Sequence, residues 1–268
     1  MAIVVASVFS LLLVQAKNET NIVLDKSNKN ALDDIDNNSL EFADNFISYV
    51  IEEDETMSFN IFGVQNTEKG NHLDAELISF LEFNNSNIEI VDFRLDSGLT
   101  HNNYKLINII VEVKINSDNI ENAEQLVVHF KNNKEKMYDF GSLTLQNDKR
   151  FVQNDISPKG NYTVGYPTLS LDVNLRNESD QTIKMKQIDD LKKNLSYHFD
   201  NVMELNSLET TRIVVPSFEI VDEKDFDFYT VTPILHYSSG TEEYLYNMPG
   251  VLYGVLRSDI DKIKKITD

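Results

Sequence analysis

The sequence predicts a mainly β protein: two tandem antiparallel β-sandwiches, preceded by a short helix and an apolar export or anchor segment. Three observations predict it. Short runs alternate apolar and polar residues with a period of two, as half-buried strands do. Polar turns rich in Asn, Ser and Gly separate those runs. The runs also recur: Val128-His129-Phe130, a polar turn, then Met137-Tyr138-Asp139-Phe140-Gly141-Ser142-Leu143 returns as Leu235-His236-Tyr237, a polar turn, then Leu245-Tyr246-Asn247-Met248-Pro249-Gly250-Val251.

The first element is Ala2 to Val14, AIVVASVFSLLLV, almost continuously apolar. It is shorter than the ~20 residues that span a bilayer and has the length of a signal-peptide core. Val14-Gln15-Ala16 follows, with small or aliphatic groups at the two positions a signal peptidase reads, and then Lys17-Asn18-Glu19-Thr20 turns polar. No Lys or Arg precedes the run, so residues 1–16 are expected to be a signal peptide or a truncated membrane anchor.

Residues 17–55 are expected to form a polar tether and a short helix. Lys17 to Asn38 lacks periodicity. From Ser39 as N-cap, Leu40, Ala43, Ile47, Val50 and Ile51 fall on one helical stripe, closed by Glu52-Glu53-Asp54-Glu55.

The first sandwich is expected over 56–152. Met57-Ser58-Phe59-Asn60-Ile61 alternates, then Leu77, Ser79, Leu81 and Phe83, then the turn Asn84-Asn85-Ser86-Asn87, then Ile88 and Ile90. The second is expected over 158–258, with Leu169, Leu171, Val173 and Leu175 as the match of Leu77 to Phe83, the turn Asn177-Glu178-Ser179-Asp180, then Ile183, Met185 and Ile188. Ile109, Val111 and Val113 match Thr211, Ile213 and Val215. The offset between matched pieces grows in order along the chain, as tandem duplication with small insertions produces. Leu191, Leu195, His198 and Val202 predict a short helix inserted in the second copy. Residues 259–268 are expected to be a C-terminal tail and carry no LPxTG-like motif.

About 100 residues and about seven strands per copy favour sandwiches of immunoglobulin-like type. The pattern of apolar strand, Asn-x-Ser or Asn-x-Asp, and apolar strand resembles tandem immunoglobulin-like modules of bacterial surface proteins. The Cys–Trp–Cys core of antibody domains is absent.

Composition narrows the function. The net charge of −20 repels nucleic acid and anionic lipid, so neither is an expected partner, except the membrane through the N-terminal segment. The absence of cysteine removes disulfides, thiolate nucleophiles and Cys-ligated metals. Heavy use of Asn, Ile and Lys matches an AT-rich genome of a low-GC Gram-positive bacterium.

Candidate chemistry is sparse. Of His72, His101, His129, His198 and His236, no two have helical metal-site spacing, and His129 and His236 occupy the same slot of the two copies. That equivalence favours strand residues over a composite active site. Asp33-Asp34-Ile35-Asp36-Asn37-Asn38 fails as a calcium loop, with Ser39 in place of Gly and Asn45 in place of Glu. No cofactor is expected. Weak calcium binding is considered at Asp222-Glu223-Lys224-Asp225-Phe226-Asp227. Tyr244, Tyr246, Asp222 and Asp225 are the candidate partner contacts. The expectation is an exported or cell-surface, non-enzymatic binding protein for a protein or cell-wall glycan. The alternatives are an extracytoplasmic accessory or regulatory domain of a membrane complex, and a secreted carboxylate-dependent hydrolase.

Overall fold

A computed structural model describes residues 40–51, 55–68, 73–101, 103–147, 151, 155–164, 169–221, 226–248 and 251–253. Within them the chain is almost entirely strand, gathered into several sheets. The segments expected as an export or anchor segment, a tether and a carboxyl tail lie outside the described residues.

The first half contributes β1 (Leu40–Phe42), β2 (Asn45–Ile51), β3 (Met57–Asn66), β4 (Ile78–Phe83), β5 (Ile88–His101), β6 (Tyr104–Ile115), β7 (Glu121–Phe130) and β8 (Glu135–Asn147). One sheet has the order β1-β3-β6-β5. Facing it, β4, β7, β8 and β2 lie side by side in a six-stranded sheet. Alternation explains the core between them: Phe59 and Ile61, Ile107, Ile109, Val111 and Val113, Leu126 and Val128, Leu143 and Leu145 all point inward and are buried. Each such side chain contributes about 1.5–3 kcal/mol on leaving water.

The second half contributes β9 (Ile156–Val164), β10 (Leu171–Asn177), β11 (Ile183–Asp189), β12 (Leu195–Leu205), β13 (Thr210–Val215), β14 (Glu219–Ile220), β15 (Phe228–Val231), β16 (Ile234–Ser239), β17 (Glu242–Asn247) and β18 (Val251–Tyr253). A three-stranded sheet, β13-β10-β9, faces a five-stranded sheet, β14-β12-β11-β16-β17. Leu171, Val173, Leu175, Ile183, Met185, Ile188, Ile213, Val215, Leu235 and Tyr237 fill the space between.

The two halves meet through β2. It pairs in parallel with β8, from Asn45↔Gly141 to Ile51↔Asn147. On its other edge it pairs in parallel with β15, from Asn45↔Phe228 to Ser48↔Val231, and β18 extends the sheet beyond. Ile47 and Ile51 face the first core. Phe46, on the opposite face, enters the second core, 5.1 Å from the ring of Phe226 and 5.5 Å from that of Tyr229. Val50 packs on Phe151 and Ile234. Ser48 Oγ donates to the buried Asp190 carboxylate at 3.1 Å. At the start of the ladder, Asn45 Nδ2 donates to the Ala43 and Phe140 carbonyls at 2.7 and 3.0 Å. Gly141 sits opposite at φ +110, and a Cβ there would lie 2.1 Å from the Asn45 carbonyl oxygen. Only glycine lets the two backbones come this close.

Three expectations are corrected. Residues 40–51 are β1 and β2, not a helix. A strand buried on both faces carries apolar residues in near-continuous order, and that order mimics a helical stripe. Leu195 to Val202 likewise belongs to β12. There Lys186 alone opposes Phe199 to Val202 between the pairs Met185↔Met203 and Gln187↔His198, so the bulge destroys the period of two. Finally, Leu77–Phe83 and Leu169–Leu175 are not equivalent. β4 neighbours the strand of His129, whereas β10 lies in the sheet opposite that of His236; the counterpart of β4 is β11. Alternation looks the same in either sheet.

Candidate functional site

Seen from solvent, the five-stranded sheet presents a row of side chains set by its register: His198, Gln187, His236 and Leu245. A depression of about 310 Å³ opens on this sheet, lined by Lys186, Gln187, His236, Tyr237, Glu243, Tyr244 and Leu245. Its polar groups are held in pairs. His236 Nε2 lies 2.7 Å from Oδ1 of the buried Asp189, whose other oxygen accepts from Gln187 Nε2 at 3.0 Å. Lys186 Nζ donates to the Glu243 carboxylate. That hydrogen bond and the attraction behind it hold the Glu243 carboxyl below the usual carboxylate range. The Tyr244 hydroxyl donates to Glu242 at 2.5 Å.

The corresponding face of the first half repeats the motif. His129 Nε2 lies 3.0 Å from Glu82 Oε1, and its Nδ1 lies 3.5 Å from Glu135 Oε2. Histidine and carboxylate are 47 residues apart in both halves. The neighbour at the Gln187 position is Phe80, whose ring stacks on His129 at 3.9 Å. The two halves therefore share a scaffold and differ in what they show to solvent.

In either half the histidine–carboxylate pair could orient a proton carrier. Catalysis would also need a nucleophile or bound water at the ring. Among the described residues no serine or threonine hydroxyl hydrogen-bonds His129 or His236, and no group of three His, Asp or Glu side chains could hold a metal ion. The arrangement is suited to contact: fixed donors, acceptors and rings on rigid strands.

Tyr244 and Tyr246 stand on β17 beside the depression. Both rings lean on the second core instead of standing free. Burial pushes the Tyr246 hydroxyl up to about 12, and it also raises Tyr237, whose hydroxyl donates to Asp155 at 3.3 Å. Asp222 and Asp225, and with them most of the acidic segment considered for calcium, lie outside the described residues, as do Asp33 to Asn38. The structure adds Lys186, Gln187 and Asp189, which composition and motif did not single out, and pairs Lys186 with Glu243, the neighbour of the candidate Tyr244. The signal was present: counting back 47 residues from each repeated histidine reaches Glu82 and Asp189.

Among the described residues no helix is long and apolar enough to cross a membrane. No family model matches the chain, and no curated protein matches it. Solved structures resemble it at low scores. A protein of unknown function from Porphyromonas gingivalis W83 has 13% identity and a TM-score of 0.22, covering 81% of this chain and 100% of its own. The D0-D1 domain of intimin has 7% identity and a TM-score of 0.22, covering 79% of this chain and 97% of its own. The C-terminal domain of the Streptococcus agalactiae AgI/II polypeptide BspA has 8% identity and a TM-score of 0.19, covering 81% and 100%. Scores this low carry no functional inference.

Proposed function

We propose that the chain is an exported surface-binding protein of a low-GC Gram-positive bacterium, built from two immunoglobulin-like modules, one over about 56–152 and completed by β1 and β2, and one over about 158–258, with the pairing of β2 and β15 as the tie between them. The strand order supports the module type. In the first half β1-β3-β6-β5 faces β4, β7 and β8, the order of a seven-stranded immunoglobulin sandwich. The second half keeps this plan but places β12 beside β11.

The observation that carries the functional reading is the depression on the outer sheet of the second half. It offers Lys186, Glu243, His236 and Tyr244 as pre-oriented polar groups on strands. A protein or cell-wall glycan partner would exchange hydrogen bonds with these groups, which are exposed or half-exposed and already paired. The apolar N-terminal segment would deliver the chain across the membrane, cleaved or retained as an anchor.

The test is a binding screen of the purified chain against cell-wall fragments, glycans and surface proteins, repeated with Lys186→Ala and His236→Gln. Binding that both substitutions weaken supports the reading. Hydrolysis of a glycan or peptide substrate that is lost in Asp189→Asn would overturn it in favour of a hydrolase.

A further inference from the structure

The outer face of the first half carries a second surface, distinct from the depression. Register places its side chains on a grid. Phe80, His129 and Glu135 form one row; Glu82, Val127 and Met137 form the next; Gln125 and Asp139 follow. Phe80 is 48% exposed and Met137 55% exposed, and they flank Val127 at the floor. Large apolar side chains that adjoin one another on a sheet face, rimmed by charge, mark interaction surfaces more often than scattered ones do.

Two observations say what fits there. The first is the equivalent place in the second half. Val127 opposes the carboxylate residue that holds His129, and Ile234 opposes the one that holds His236. Ile234 is covered: Val50 and Phe151 pack on it. The same position of the scaffold thus already receives an aliphatic and an aromatic side chain in one copy; in the other, Val127 is 8% exposed and forms the floor between the exposed Phe80 and Met137. The second is charge. Glu82, Glu135 and Asp139 stand on the grid and no lysine or arginine does, in a chain of net charge −20. An occupant with lysine or arginine is drawn to it and finds partners.

The edge of β4 does not invite strand addition. A bulge between Ile78 and Phe80 kinks it, and Glu82 sits on it, two devices that block edge pairing. The occupant lies over the face.

We propose that Phe80, Glu82, Val127, Glu135 and Met137 form a docking surface for a basic protein segment. The segment seats an aliphatic or aromatic side chain over Val127, between Phe80 and Met137, and places lysine or arginine against Glu82 and Glu135.

The experiment uses the whole chain and fluorescein-labelled short peptides: one alternating lysine with leucine and phenylalanine, one alternating lysine with glycine. The first peptide binds, and Phe80→Ser/Met137→Ser weakens it by about tenfold or more, as loss of a central apolar anchor does. Glu82→Lys/Glu135→Lys weakens it to a similar degree and flattens its salt dependence. Val214→Ser, at an exposed valine elsewhere, leaves it unchanged, as does His236→Gln, so failure here is separate from failure at the depression. All these substitutions are at exposed or half-exposed positions, and unchanged circular dichroism checks the fold. Three results would overturn the proposal: full binding by either double variant, equal binding of the lysine–glycine peptide, or a dimer in sedimentation that Phe80→Ser/Met137→Ser dissolves, which would make a second copy the occupant.

Discussion

Phe46→Ala tests how β2 ties the halves together. The residue belongs to a sheet of the first sandwich, yet its ring is 2% exposed and packs on Phe226 and Tyr229 in the second core. Truncating a buried phenylalanine costs about 3–5 kcal/mol, the transfer loss plus the cavity. Folded domains are stable by about 5–15 kcal/mol, so the loss is a large share of the total. The assay is urea unfolding followed by amide exchange and mass spectrometry, with peptides from β6 reporting the first core and peptides from β11 the second. β11 peptides should open at markedly lower urea in the variant. Those from β6 should follow them, because β2 also supplies Ile47 and Ile51 to the first core. If Phe46→Ala leaves the β11 transition where it was, the ring is not in the second core and the reasoning fails.

Gly141→Ala should destabilise the chain by several kcal/mol, since the added Cβ meets the Asn45 backbone and the residue must hold φ +110; a melting temperature within about 2 °C of the parent would contradict this. Asp190→Ala removes the acceptor of Ser48 Oγ and of the buried Leu195 N–H at 2.9 Å, and should cost about 3 kcal/mol, whereas Ser48→Ala should cost about 1 kcal/mol, both read by denaturant midpoint. Tyr246, raised to about 12 by burial, is an acid whose folded form holds its proton longer than the unfolded one. Its contribution, on the order of 2 kcal/mol, is therefore complete below about pH 10 and lost as pH rises toward 12. Melting curves from pH 9 to 12 should fall less steeply in Tyr246→Phe.

Strands with one wet face were legible because solvent imposes a period of two on them. β6, β10 and β13 alternate as the sequence suggests, and β3, β7 and β11 do so over part of their length. β2 was not legible, since burial on both faces erased the period. β12 was not legible either, because four residues bulge past Lys186. Local pattern also says nothing about which sheet an alternating strand joins, which is why β4 was matched with β10. The repeated histidines were legible as one slot in two copies. Their carboxylate partners come from a strand 47 residues earlier, a separation that strand periodicity does not encode. Tyr244 and Tyr246 suit an interface as tyrosines on an acidic edge. β17 is an edge strand with the sandwich interior on one side, so their rings pack on the second core while Tyr244 also lines the depression.

β2 serves two cores at once. The direct measurement is a set of nuclear Overhauser contacts from adjacent residues of that strand. Ile47 methyls should contact side chains of the first core, and Phe46 ring protons should contact the rings of Phe226 and Tyr229. Finding both sets supports the shared strand. Finding Phe46 without contacts to Phe226 and Tyr229, while Ile47 keeps its own, would contradict it.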